Sequence, residues 1–283
     1  MTVAELKQQV ILTQEVSLED FFVLLSTITG QSKAFLFSHD EYLLTEEETA
    51  SLGAFLKRRA LHEPVSYLTQ EKEFFGRTFF VNQDVLIPRP ETELLIENVL
   101  QQVATSAIPL TFIDIGTGSG AIILTLAEEL KVHDRAFTYL GLDISSEALV
   151  VAETNKTKLR NTNVQFLQSD LLASLPEIHW DSHLIFLANL PYVPEEQYQN
   201  AMPDVVLYEP AIALVSGIDG LNHYRRLIQE LSHKKLSSFT LYLEIDPSQT
   251  ITLRTLLEQS FPGGRFELFK DLASHDRLIR YTL

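Results

Sequence analysis

The sequence predicts an α/β protein: a mixed seven-stranded sheet whose last strand is antiparallel, preceded by a small all-α bundle that a β-hairpin joins to it. Three observations predict it. From Leu110 onward, short β-rich runs alternate with helical segments, the pattern of a parallel sheet covered by helices. The tail breaks that alternation with two consecutive strand candidates, Arg265 to Phe269 and Leu278 to Leu283, which implies a final antiparallel pair. Before about Leu68 only helical periodicity is present.

Taken in order, Val3 to Leu68 reads as several short helices. Phe21, Phe22, Leu24, Leu25 and Ile28 recur at helical spacing, and Gly30 follows as a stop. Thr45-Glu46-Glu47-Glu48 opens another helix, with Thr45 as N-cap and Glu48 at the capping-box position. Aromatic residues then alternate through Glu73 to Val81, and Asn82-Gln83-Asp84 supplies a turn candidate before Val85-Leu86-Ile87, so this stretch reads as a hairpin. Pro88-Arg89-Pro90 holds the chain extended, and Glu91-Thr92-Glu93 starts a helix through Leu100. Strands are expected near 110–115, 138–143, 164–168, 183–188 and 240–244, with helices near 119–131, 146–157 and 249–260. The expected organisation is 1–70 as a helical domain, 71–90 as a hairpin linker and 91–283 as the α/β domain.

Composition narrows the classes. With 283 residues and 45% hydrophobic content the chain can bury a sizeable core. A formal charge of −16 argues against a dominant nucleic-acid contact, which rests on Lys and Arg neutralising phosphates. No cysteine is present, which excludes disulfides, thiolate metal sites and cysteine nucleophiles. The start, Met1 to Val10, has no long apolar run, so no membrane partner is expected and the setting is read as cytoplasmic. Eight scattered histidines show no H-x-x-x-H or H-x-H spacing, so no metal is expected. Thr117-Gly118-Ser119-Gly120 lacks the first glycine of a hydrolase nucleophile elbow.

The chemistry concentrates in two segments. The first is Ile113-Asp114-Ile115-Gly116-Thr117-Gly118-Ser119-Gly120, a strand end followed by a glycine turn that opens a helix and brings its backbone N–H groups to a ligand. Its G-x-G-x-G spacing departs from the dinucleotide fingerprint, and the Gly-Lys-Ser/Thr of a phosphate loop is absent. Glycine turns after strands are common, and aspartates often cap helices. Three strand-end carboxylates in succession favour a nucleoside-like ligand without phosphate, S-adenosyl-L-methionine: Asp114 and Asp143 suit its cationic groups and ribose diol, and Asp170 the adenine amino group, with Leu171 on the ring.

The second segment, Asn189-Leu190-Pro191-Tyr192, follows the apolar run Leu184 to Ala188, where open α/β sheets place ligands. A delocalised amide or aryl-amine nitrogen is a weak nucleophile and must be oriented for in-line attack on the sulfonium methyl. The Asn189 side-chain oxygen and the Leu190 carbonyl would accept its two N–H groups and strengthen as positive charge develops. Pro191 keeps Leu190 extended, and Tyr192 offers a flat face for stacking. Asn, Pro and Tyr also make ordinary turns. Beside the glycine loop, the pair of segments points instead to methylation of a planar nitrogen.

Over nearly its whole length the chain resembles the protein-(glutamine-N5) methyltransferases that modify the Gly-Gly-Gln glutamine of class I peptide chain release factors. The resemblance includes Phe74-Phe75-Gly76-Arg77, Leu86 to Glu93, the glycine loop, Asp143, Asp170, the tetrapeptide, Tyr208-Glu209-Pro210 and Gly217-Ile218-Asp219-Gly220-Leu221. It implies a Rossmann-like class I methyltransferase fold and S-adenosylmethionine as methyl donor, with S-adenosylhomocysteine as product. It also implies a release factor as protein substrate, docked on the N-terminal bundle. Gly116 to Gly120, Asp143, Leu171 and Asn189 would bind the cofactor, and Asn189 to Tyr192 would hold the glutamine. The family usually reads Asn-Pro-Pro-Tyr, whereas this chain has Leu190 second, as the ribosomal RNA adenine dimethyltransferases do. An adenine-N6 nucleic-acid methyltransferase and a catalytically silent binding module are the alternatives.

Overall fold

The computed structural model describes residues 1–104, 108–132, 137–175 and 182–283. Trp180, to which the sequence assigns no role, lies outside them. The chain divides into two compact units, Met1–Glu71 with Met202–Tyr208, and Lys72–Ala201 with Glu209–Leu283.

The first unit holds α1 (Val3–Thr13), α2 (Leu18–Thr29), α3 (Lys33–Ser38), α4 (Glu46–Ala60) and α5 (Val65–Thr69). Gly30 ends α2 in the left-handed conformation, and Thr45 and Glu48 form a reciprocal capping box on α4. Phe21, Leu24, Leu25, Leu36 and Leu52 are fully buried at its centre. The later helix of this unit, Pro203–Tyr208, belongs to it although the sequence reading placed 71–283 outside the bundle; the Tyr208 hydroxyl donates to the Leu61 carbonyl at 2.9 Å.

The hairpin is shorter than expected and turns elsewhere. Its strands β1 (Glu71–Phe74) and β2 (Arg77–Phe80) are joined at Phe75-Gly76, both at positive φ, the geometry of a tight two-residue turn. Asn82 to Asp84 form a separate turn, and Val85 to Ile87 carry no strand, because Val85 and Ile87 are buried individually rather than along a ladder.

The second unit continues with α6 (Glu93–Ala104), β3 (Leu110–Ile115), α7 (Ala121–Glu129), β4 (Phe137–Asp143), α8 (Ser146–Lys158), β5 (Val164–Gln168) and β6 (His183–Ala188). After β6 come α9 (Glu195–Gln199), then, beyond α10 (Pro203–Tyr208) of the first unit, α11 (Asn222–His233), β7 (Phe239–Glu244), α12 (Thr250–Ser260), β8 (Arg265–Lys270) and β9 (Asp276–Thr282). The seven-stranded sheet has the order β5-β4-β3-β6-β7-β9-β8. Pairings are parallel from β5 through β7, and β9 runs antiparallel to both neighbours. Every residue of β3 and β7 is buried, as expected for strands covered on both faces. The strand order reverses between β3 and β6, and a crevice opens there beyond the carboxyl ends of the strands.

Candidate active site

A cleft with about 1120 Å³ of empty volume, its open mouth included, lies at that reversal. Its wall includes Gly116, Thr117, Gly118 and Ser119 after β3, Asp143 after β4, Asp170 and Leu171 after β5, and Asn189, Leu190 and Pro191 after β6. Four successive strand ends thus bring most of the predicted residues to one cavity. Asp114, Gly120 and Tyr192 are not among its lining residues.

Backbone hydrogen bonds shape the glycine loop. Gly116 and Thr117 both donate to the Leu142 carbonyl at 2.8 Å, and Gly118 donates to Asp143 Oδ2 at 2.8 Å. Gly116, Gly118 and Gly120 all have positive φ, which a side chain resists. Behind the loop, Asp114 is fully buried, and one of its oxygens accepts the Thr117 hydroxyl at 2.6 Å while Oδ1 has no partner. Burial pushes its pKa up to about 7, with the nearby Asp143 charge adding to the shift. Asp143 is also raised by burial, offset by N–H donors from Ser145, Gly118 and Ile144. A cationic ligand in the cleft would relieve both carboxylates. An orphaned buried carboxylate oxygen beside a glycine loop that lacks the Gly-Lys-Ser/Thr of a phosphate site fits S-adenosylmethionine.

Asp170 is not alone: Arg226 from α11 holds it at 2.8 Å, and both line the cleft. Leu171 is buried with a φ of 48°, and Ser169 fixes this conformation by donating its hydroxyl to the Leu171 carbonyl at 2.8 Å. Neither Arg226 nor the strained Leu171 is marked in the sequence by any local pattern.

Asn189 donates Nδ2 to the Thr92 hydroxyl at 3.1 Å, which leaves Oδ1 as its available acceptor. Leu190 is buried, with only its backbone suited to polar contact. The Tyr192 hydroxyl donates to Glu244 Oε1 at 3.3 Å, and its carbonyl accepts Gln249 Nε2 at 2.9 Å. A Cβ on Gly220 would lie 2.0 Å from the Tyr192 carbonyl oxygen, so the glycine of the Gly217 to Leu221 segment lets that segment close on the tetrapeptide. The Pro88-Arg89-Pro90 segment is anchored likewise: buried Glu209 accepts Arg89 Nη2 at 2.5 Å and the Ile87 N–H at 3.2 Å.

Sequence reasoning missed Asn155. It is fully buried on α8, exchanges hydrogen bonds with the Phe80 N–H and carbonyl at 2.6 and 2.9 Å, and donates to the Ser119 carbonyl at 2.9 Å. The available signal was a polar residue in register with Ala148, Val151 and Ala152 on the buried stripe of that helix. Among the described residues, no group of three or more His, Asp or Glu is placed to hold a metal ion, and no helix is long and apolar enough to cross a membrane.

Two family models match the chain. Residues 4–69 match a PrmC N-terminal domain and residues 109–206 a methyltransferase domain. The chain is 37% identical to the release factor glutamine methyltransferase of Bacillus cereus, over 83% of this chain and 82% of the relative. It is 35% identical to that of Clostridium acetobutylicum, over 94% and 91%. Among solved structures, the hMettl16 catalytic domain in complex with a MAT2A 3′UTR hairpin aligns with a TM-score of 0.55 at 15% identity, covering 91% of this chain and 90% of that one. That likeness is of fold alone, a Rossmann-like methyltransferase sheet. With relatives this similar over most of both lengths, the chain belongs to the release factor glutamine methyltransferase family.

Proposed function

We propose that this enzyme transfers a methyl group from S-adenosylmethionine to the side-chain amide nitrogen of the Gly-Gly-Gln glutamine in a class I release factor, in the cytoplasm. The observation that carries the reading is the meeting of the glycine loop and Asn189 to Pro191 on one cleft, with the Asn189 NH2 group already taken by Thr92, which leaves Oδ1 for a substrate. Residues 1–70 serve as the docking domain, with the helix Pro203–Tyr208 in the same compact unit, 71–90 as the linker and the rest of 91–283 as the methyltransferase domain.

Gly116 to Gly120 would approach the cofactor through backbone, Asp114 would favour its cationic end, Asp143 would take the ribose hydroxyls, and Asp170 with Leu171 would take the adenine. When bound, the cofactor supplies an electrophilic methyl on sulfonium. Asn189 Oδ1 and the Leu190 carbonyl accept the two N–H groups of the substrate amide and aim its nitrogen. Positive charge developing on the substrate nitrogen during transfer would strengthen both of these hydrogen bonds. Loss of one proton from that nitrogen to solvent would give the N-methyl amide, with S-adenosylhomocysteine as the other product. The ring of Tyr192, held through Glu244, restricts the planar amide.

The test offers isotope-labelled S-adenosylmethionine with release factor or with RNA. Label is expected in the release factor, and Asn189→Ala should lower turnover far more than cofactor affinity. Label in RNA, or unchanged turnover in the variant, contradicts the reading.

A further inference from the structure

Asparagine carboxamides have two nearly isosteric orientations, and only one presents an acceptor to a substrate N–H. In this structure the choice is made in the cleft wall, which Thr92 shares with Asn189. The Asn189 NH2 group is taken by Thr92 Oγ1 at 3.1 Å, and Thr92 is itself buried. A hydroxyl that accepts from an amide has its own hydrogen to place elsewhere, and Glu244 faces it from the end of β7, where the Thr92 hydroxyl favours the charged carboxylate. Glu244 is 2% exposed, its Oε1 accepts the Tyr192 hydroxyl, and its buried Oε2 accepts no hydrogen bond. An ionised carboxylate can only accept. While Glu244 is charged it holds the Tyr192 hydrogen and attracts the Thr92 hydrogen toward its unpartnered Oε2.

We propose that Thr92 and Glu244 are positioning residues that set which way the Asn189 carboxamide faces, Thr92 by accepting its NH2 group and Glu244 by claiming the Thr92 hydrogen. The inference rests on the proposed role of Asn189 and extends it to two residues outside the tetrapeptide. Once Glu244 takes up a proton it becomes a donor to Thr92. The Thr92 hydrogen is then free to turn toward Asn189, where the flipped amide offers Oδ1 to it and NH2 to the cleft. That orientation repels the substrate amide. Burial raises the Glu244 pKa to about 7, against the pull of Thr92, Arg277 and Tyr192, while Glu91 adds to the rise. Arg277 is itself engaged by Asp271 at 3.1 Å, and the Tyr224 hydroxyl meets the backbone carbonyl of Glu244 rather than its carboxylate.

The experiment compares wild type, Thr92→Val, Thr92→Ser and Glu244→Gln, measuring kcat at saturating cofactor against pH, cofactor affinity by calorimetry, and the Asn189 side-chain amide by NMR on isotope-labelled protein. Thr92→Val should lower kcat about tenfold, the worth of one lost orienting hydrogen bond, with cofactor affinity held within about twofold. Thr92→Ser, which keeps the hydroxyl, should recover most of the loss. Wild-type kcat should fall as pH drops through about 7, and Glu244→Gln should lack that limb. The Asn189 NH2 signal should be shielded from exchange in wild type and exposed in Thr92→Val. Unchanged kcat in Thr92→Val, equal losses in the Val and Ser variants, or a persisting limb in Glu244→Gln overturns the proposal. If wild type methylates no release-factor glutamine, the proposed function fails instead, and the Asn189 amide signal alone decides this inference: an NH2 group equally exposed in wild type and Thr92→Val overturns it.

Discussion

Leu190 packs against Gly116: a Cβ built on the glycine would meet Leu190 Cδ2 at 3.0 Å. The two halves of the site therefore touch, and the φ of +72° at Gly116 adds to the cost of any side chain there. Gly116→Ala should destabilise the protein by about 1–2 kcal/mol from the left-handed backbone alone. Cofactor affinity should fall with it, as denaturant unfolding and calorimetry would read. Equal stability in the two proteins would mean the loop relaxes around the methyl group.

Leu190 stands where the family usually has proline, and it serves two separate ends. Its buried side chain fills the core, and its carbonyl faces the substrate in the proposed mechanism. Leu190→Ala should cost about 3 kcal/mol of stability through the cavity it leaves. The carbonyl survives, so kcat of the folded variant should fall much less than in Asn189→Ala. A loss as large as that of Asn189→Ala would assign the side chain a direct part in transfer.

Asp114 predicts a pH dependence with a definite sign. Its pKa in the fold, about 7, exceeds its ordinary value of 3.8, so the fold prefers the protonated acid. Its stabilising contribution is complete below the ordinary value and is lost as pH rises through about 7. Asp114→Asn should therefore raise the unfolding midpoint of the cofactor-free protein by several degrees above that pH and change little in strong acid. Cofactor affinity should behave in the opposite way. A cationic ligand favours the carboxylate, so wild-type affinity should climb through about 7 while the variant stays flat and weaker.

Asn155 joins β2 to the glycine loop. Asn155→Ala would strand the Phe80 N–H and the Phe80 and Ser119 carbonyls, for a loss of about 3 kcal/mol in chemical unfolding. Cofactor binding should weaken as well, since Ser119 lines the cleft. A change below about 1 kcal/mol would show that water replaces all three bonds.

Much of this was legible in the sequence because it rests on local rules. The sheet follows from strands whose buried faces are continuous, as in Leu110 to Ile115, and the caps at Gly30 and Thr45 follow from backbone chemistry within a few residues. The glycine loop and the tetrapeptide are contiguous, so each could be read whole. What escaped depends on pairs far apart in the chain: Asp170 with Arg226, Arg89 with Glu209, Asn189 with Thr92, and Tyr192 with Glu244 and Gln249. The hairpin was misread because Asn82 to Asp84 offered the stronger turn composition. Phe75-Gly76 needed only one glycine to turn the chain.

Mass spectrometry of release-factor peptides after incubation with enzyme and S-adenosylmethionine reads directly which atom receives the methyl group. The account predicts a gain of one methyl, localised to the side-chain amide of the Gly-Gly-Gln glutamine and lost in Asn189→Ala. A methyl group on any other residue, or an unmodified glutamine from an enzyme that binds cofactor, would contradict it.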